Sequence, residues 1–266
     1  MDYLQLNYWQ VAAAALLIVI NGCLSLWLRL GLERSLLIAS VRTVIQLLLI
    51  GFILQWVFQF DRWYVVVGIL LLMTSVAAVT AVQQSVRRYR GIWWDTFLSV
   101  WVSSWMICAY GLLIVLNGID KWCQPQYAIP LMGMILGNTL NGISIGLSTF
   151  TESAYKGYEE IETLLTLGAD RWEAVGGPLR HAMTTGMTPI VNSMMIVGLV
   201  SLPGMMTGQL LAGVEPEQAV KYQIAIMFLI ASATALGTTA AVLLSFRRIF
   251  NSRHQFLRFL LKSRYS

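Results

Sequence analysis

The residues best suited to chemistry in this sequence are polar side chains set inside long apolar runs. Arg42 and Gln46 stand four residues apart, so on a helix they share one face, with Thr43 beside them. A guanidinium in an apolar layer is costly and normally faces a bundle or a wet cavity. Two readings stay open for it: attraction of an anion or bracing of a moving helix, and a side chain snorkelling to a nearby interface. A second group reads Pro130, Gly133, Gly137, Asn138, Asn141, Gly142, Ser144, Gly146 and Ser148. Gly133 and Gly137 form a small-xxx-small pair that lets helices approach closely, while Asn138 and Asn141 bring amides to one face. That stretch is either a packing seam or a substrate-lining wall. A third group runs Ser201-Leu202-Pro203-Gly204-Met205-Met206-Thr207-Gly208. Proline removes a helical hydrogen bond and glycine tolerates unusual dihedrals, so a helix break is expected there as a gate or path lining. Unwound backbone at membrane depth is tolerated only inside protein or beside a cavity. Met205 and Met206 add thioethers that favour soft metals such as Cu(I), although twelve methionines in an apolar chain also bring two together by chance. No other metal ligand is assigned.

Equally informative is what the apolar runs lack. No acidic residue falls in the middle of one: Asp95 stands at the start of a run and the other carboxylates lie in connections. Ion-coupled carriers often use buried carboxylates, so that class fits less well. His181 and His254 are expected outside the runs, which argues against a Ser-His hydrolase at Gly142-Ile143-Ser144. There is no G-x-x-x-x-G-K-[ST] phosphate loop. No catalytic residue and no bound cofactor is therefore assigned to this chain. Cys23, Cys108 and Cys123 have no metal or redox spacing; the first two read as packing residues.

The elements that must hold these groups follow from hydropathy. The chain has 266 residues, 12% charged, with mean hydropathy +0.67. A soluble domain carries about 25% charged residues, and a run of about 20 apolar residues spans a bilayer as a helix. Runs recur at Tyr8 to Leu28, Leu36 to Phe58, Trp63 to Val82, Thr96 to Leu116, Ala128 to Thr149, Thr188 to Ala212 and Tyr222 to Phe246. They are continuous rather than alternating, which excludes a barrel. Asp2 is the only charge ahead of the first run, where a signal peptide needs a positive n-region, so it reads as a retained helix. The expectation is one all-α integral membrane domain over residues 1–266 with about seven transmembrane helices.

Basic residues orient it. Arg29, Arg34, Arg87, Arg88, Arg90, Lys156, Arg171, Arg180 and the tail residues Arg247, Arg248, Arg253, Arg258, Lys262 and Arg264 fall on one side. Arg62, Lys121 and Lys221 fall on the other. The positive-inside rule then places the N-terminus out and the C-terminus in. The basic tail, about 247–266, is expected to meet anionic lipid headgroups rather than nucleic acid.

Between the fifth and sixth runs lies an inner segment, about 152–187, with its own period. Ile161, Leu164, Leu165, Gly168, Trp172 and Val175 recur at three- and four-residue spacing among Glu159, Glu160, Glu162, Asp170 and Glu173. Gly168-Ala169 breaks the period, and Asp170 to Glu173 reads as a capping box that starts a second short helix. Gly176-Gly177-Pro178 is expected to end it. The product is a cytoplasmic helix-turn-helix between helices five and six.

Glu162 followed six positions later by Gly168-Ala169 resembles the EAA-type coupling loop of ABC transporter permeases. The wider pattern adds Arg42 with Gln46-Leu47, Gly133-Met134 with Gly137-Asn138, and Leu167-Gly168-Ala169. It continues with the run Val197 to Met206, Lys221-Tyr222-Gln223, and the tail Phe250-Asn251-Ser252-Arg253-His254-Gln255. Together these are similar to the FetB-like family of iron-export permeases, whose plant relatives are linked to aluminium tolerance. The resemblance implies a permease of the bacterial inner (plasma) membrane that exports metal or a metal-linked solute. It also implies a separate cytoplasmic ABC ATPase that holds ATP and Mg, with two permeases and two ATPases per transporter. Glu162, Leu164, Leu165, Gly168, Ala169 and Trp172 are then the expected coupling residues. Arg42, Gln46, Asn138, Asn141, Ser201, Pro203, Gly204, Met205 and Met206 are the expected path or gate. One departure is Glu162-Thr163-Leu164, where general ABC importers show two alanines after the glutamate. An ion-coupled carrier or channel working without an ATPase is the alternative.

Overall fold

A computed structural model describes residues 7–60, 62–115, 124–251, 255–257 and 261–263. Asp2, Lys121 and Cys123, with Arg253, His254, Arg258 and Arg264 of the tail, lie outside the described residues. The chain divides into two units, residues 1–61 and 62–266.

The first unit is a helical hairpin of α1 (Tyr8–Trp27) and α2 (Glu33–Phe60). The turn between them needs left-handed backbone at Arg29 and Gly31. Buried Ser25 ties it together: its Oγ accepts from the Leu32 amide and donates to Glu33 Oε2, each at 3.1 Å. Leucines and valines cover both helices and stay exposed, the pattern of an element whose solvent is lipid.

The second unit holds α3 (Trp63–Gln84), α4 (Ile92–Tyr110, continued by a π-helical turn at Gly111–Val115) and α5 (Pro125–Lys156). These lead to α6 (Tyr158–Thr166), α7 (Arg171–Ile196), α8 (Gly204–Leu211) and α9 (Pro216–Ile249). A two-residue strand β1 (Arg87–Arg88) pairs antiparallel with β2 (Lys262–Ser263), the one departure from an all-α unit among the described elements.

α5 is the axis, packed against α3, α4, α7 and α9. Small residues make this possible. A Cβ on Gly142 would lie 2.6 Å from Thr238 Oγ1 and 3.1 Å from the Gly186 carbonyl oxygen, and one on Gly186 would lie 2.7 Å from the Gly142 carbonyl oxygen. One turn further along, Gly146 meets Thr238, Val242 and the Ala182 carbonyl. The partner residue falls by four on α7 and rises by four on α9, so α7 runs antiparallel and α9 parallel to α5. The expected small-xxx-small pair lies nine residues before the seam: Gly133 touches only Met73, and a Cβ on Gly137 would meet nothing within 4 Å.

Among the described residues six helices are long and apolar enough to cross a membrane: α1, α2, α3, α4 with its π turn, α5 and α9. The run expected as one span from Thr188 to Ala212 is not one helix. It comprises the end of α7, a break at residues 197–203, and α8. Nor do Gly176-Gly177-Pro178 end a helix, because α7 continues through Pro178 and Pro189 to Ile196. A proline removes one backbone hydrogen bond. Here the flanking residues Val175, Leu179, Ala182, Gly186 and Ile190 are buried, and that packing holds the helix together.

Candidate functional site

The hairpin between α5 and α7 is built from local signals. Gly157 alone separates α5 from α6. α6 ends in a Schellman motif: Gly168 takes φ +95°, its amide donates to the Leu165 carbonyl at 3.1 Å, and the Ala169 amide donates to the Leu164 carbonyl at 3.0 Å. Asp170 then caps α7. Its Oδ1 accepts from the Trp172 and Glu173 amides at 2.7 Å each, and Glu173 Oε2 accepts from the Asp170 amide at 2.9 Å. The expected turn and capping box are both present, which orients α6 and α7 relative to each other.

The faces are distributed differently from expectation. Leu164 and Leu165 pack on the chain's own core beside buried Ile161, so they are not a free apolar face. The residue left bare at the tip is Leu167, 79% exposed, with Thr163, Thr166 and Gly168 around it. Trp172 is half-exposed, its ring 4.3 Å from that of Phe246 on α9. Glu162 is half-buried and makes no hydrogen bond or ion pair among the described residues.

The tail forms the base under this hairpin, a role the sequence reading did not assign. Phe246, Phe250 and Phe256 stack in succession at 5.4 Å, and Phe256 reaches Tyr158 of α6 at 5.9 Å. Arg87 pairs with Glu152 at 2.7 Å while its guanidinium lies 3.4 Å from the Tyr155 ring centre. Buried Asp95 pairs with Arg248 at 3.2 Å and accepts from the Tyr89 hydroxyl at 3.1 Å. Burial, and next the Asp95 charge, pushes the Tyr89 phenol far above its usual range, so it remains a donor. The cluster of aromatics at positions 246, 250 and 256 was the available signal, but nothing local says they fold back.

The break after α7 is tight. Gly198 adopts φ +83° and its amide donates to the Ser201 carbonyl at 2.9 Å, with Leu199 and Val200 almost fully exposed. Ser201 is exposed, Pro203 caps α8, and Gly204 opens it. Met206 joins Met194 and Met227 around a cavity of about 490 Å³, with Gln223 in its wall; Met205 is half-buried outside that lining. Gln223 is buried, and its Oε1 has no partner among the described residues. The cavity wall uses the first third of α9, so the break lies toward the α5 N-terminal end of the bundle rather than at its middle.

Asn138 is half-buried and donates to the Met134 carbonyl at 2.9 Å, while Asn141 is exposed. In the separate α1–α2 unit, Arg42 and Gln46 share an exposed face and line a shallow groove of about 370 Å³ with Leu37, Ile38, Val41 and Ile45. Arg42 has no hydrogen bond or ion pair among the described residues. His181, expected outside the spans, sits on α7 next to Ala182, which packs against Gly146 of α5. The α7 polar residues His181, Thr184, Thr188 and Asn192 were missed as a set; their spacing of three, four and four was the signal.

Comparison with known proteins places the chain among membrane proteins. Residues 8–250 match the family described as Uncharacterised protein family (UPF0014). A UPF0014 membrane protein of Synechocystis sp. is 40% identical over 231 residues, 87% of this chain and 89% of that one. "Probable iron export permease protein FetB" of Escherichia coli is 31% identical over 248 residues, 92% of this chain and 93% of that one. "Protein ALUMINUM SENSITIVE 3" of Arabidopsis thaliana is 30% identical over 244 residues, 92% of this chain and 88% of that one. No solved structure matches. With its apolar helices and a family match across nearly its whole length, this chain is an integral membrane protein that belongs to the UPF0014 family.

Proposed function

We propose that the chain is the permease subunit of an ABC-type exporter in the inner (plasma) membrane, moving iron or a metal-linked solute. A separate cytoplasmic ATPase, carrying ATP and Mg, docks on the α6–α7 hairpin, and two permeases join two such ATPases. The N-terminus lies outside and the C-terminus inside. α7 is a seventh crossing, despite its polarity, because it runs antiparallel beside the whole central part of α5.

The observation that carries this reading is the hairpin itself. It is a short helix-turn-helix with an exposed apolar tip at Leu167, joined to α5 by one residue and continuous with α7. A push on that tip is transmitted to two helices in contact along a glycine seam. The mode of recognition is an apolar tip entering a groove on the partner. The name of the Escherichia coli relative supports export and iron as the cargo. An ion-coupled carrier would use a titratable carboxylate in the spans, and buried Asp95 is instead held in an ion pair with Arg248.

The test is purification of the chain with the products of its genomic neighbours, followed by ATP-dependent metal efflux from vesicles. An ATPase is expected to co-purify, and Leu167→Asp or Glu162→Ala is expected to abolish coupling. Transport by the chain alone under an ion gradient, with no ATPase bound, would overturn the reading.

A further inference from the structure

The two sides of α7 differ in burial and in polarity. One side carries Ala182, Gly186 and Ile190, all buried. Gly186 meets Gly142, which stands at the middle of the 32-residue α5, a helix long and apolar enough to span. Gly186 is therefore at mid-depth of the bundle. The opposite side carries His181, Thr184, Thr188 and Asn192, all exposed. These positions extend over about 16 Å of helix and are centred on the same depth. The Thr188 hydroxyl donates to the Thr184 carbonyl at 2.9 Å. The side chains of His181, Thr184 and Asn192 have no hydrogen-bond partner among the described residues.

Hydrocarbon cannot cover such a face, because each unsatisfied polar group in lipid costs several kcal/mol. A helix of this composition is stable at that depth only if the polar side meets water or polar protein. α3 shows the contrast. Leu72, 63% exposed, is near the middle of the 22-residue α3, and its side chain is hydrocarbon alone.

We propose that His181, Thr184, Thr188 and Asn192 form the hydrophilic wall of the translocation route. Its cargo is a hydrated cation or a small polar complex of one. The donors are an imidazole, hydroxyls and an amide, with no carboxylate among them. Such groups replace individual water ligands without holding a cation tightly, which suits passage rather than storage. The proposal rests on the reading of this chain as a transporter.

The experiment places single cysteines at Thr184, Thr188, Asn192 and Leu72 in a chain whose Cys23, Cys108 and Cys123 are replaced by serine. Native membranes are treated with a charged, membrane-impermeant thiosulfonate. Thr188→Cys and Asn192→Cys are expected to react at least ten-fold faster than Leu72→Cys, and Thr184→Cys serves if either fails to reach the membrane. Rates no faster than that of Leu72→Cys would overturn the wall. Fast labelling in a preparation where no ATPase co-purifies would keep the wall and sink the ABC reading. A bound ATPase with slow labelling would do the reverse.

Discussion

The seam at mid-bundle and the base beneath the hairpin are closed by opposite means. At the seam, α5, α7 and α9 meet through Gly142, Gly146, Gly186 and Thr238, with the Thr238 side chain and the Gly142, Gly186 and Ala182 carbonyls close by. At the base, α6, α7, α9 and the tail are wedged together by Phe246, Phe250, Phe256, Trp172 and Tyr158. Thr238 is β-branched and stiff at χ1, and the other close contacts are backbone, so the seam moves as one body or not at all. Large rings at tilted angles repack with small losses, so the base is where relative motion is accommodated. The hairpin stands at that adaptable end, and the polar side of α7 lies at the rigid end.

Substitutions should separate the two regions. Gly186→Leu forces atoms into the Gly142 carbonyl and is expected to destabilise by about 3 kcal/mol; the heat-unfolding midpoint in detergent reads it. Phe256→Ala removes two ring contacts and a buried side chain, at about 3 kcal/mol by the same melt, and should also raise proteolysis at the hairpin. Arg248→Ala leaves the buried Asp95 carboxylate with Tyr89 alone, at about 2 kcal/mol by the same melt, since Arg248 is itself half-exposed. Gly137→Ala, with nothing within 4 Å of the new methyl, should stay within about 0.5 kcal/mol of the parent. A large effect at Gly137, or none at Gly186, would mean that the seam is misplaced.

The same division explains what was readable in the residues. Gly168, Asp170 and Glu173 act on neighbours two to four residues away, so the turn and its cap were legible. Whether Gly133 and Gly137 or Gly142 and Gly146 make the close approach depends on a partner more than forty residues along the chain, and spacing alone cannot choose. α7 was misread for a related reason. Average hydropathy penalises His181, Thr184, Thr188 and Asn192 without registering that the other side of that helix is buried on α5. The path candidates sit in different surroundings: Met206 shares a cavity wall with Met194 and Met227, and Asn138 donates to a carbonyl of its own helix. Arg42 belongs to a separate unit, where its own helix accounts for the groove it lines.

The central claim is that force on the hairpin reaches the polar side of α7 through the seam. Labelling of Thr188→Cys in membranes containing the bound ATPase, with and without trapped nucleotide, tests it directly. The account predicts a several-fold change in rate that Leu167→Asp abolishes. A rate indifferent to nucleotide while the ATPase remains bound would contradict it.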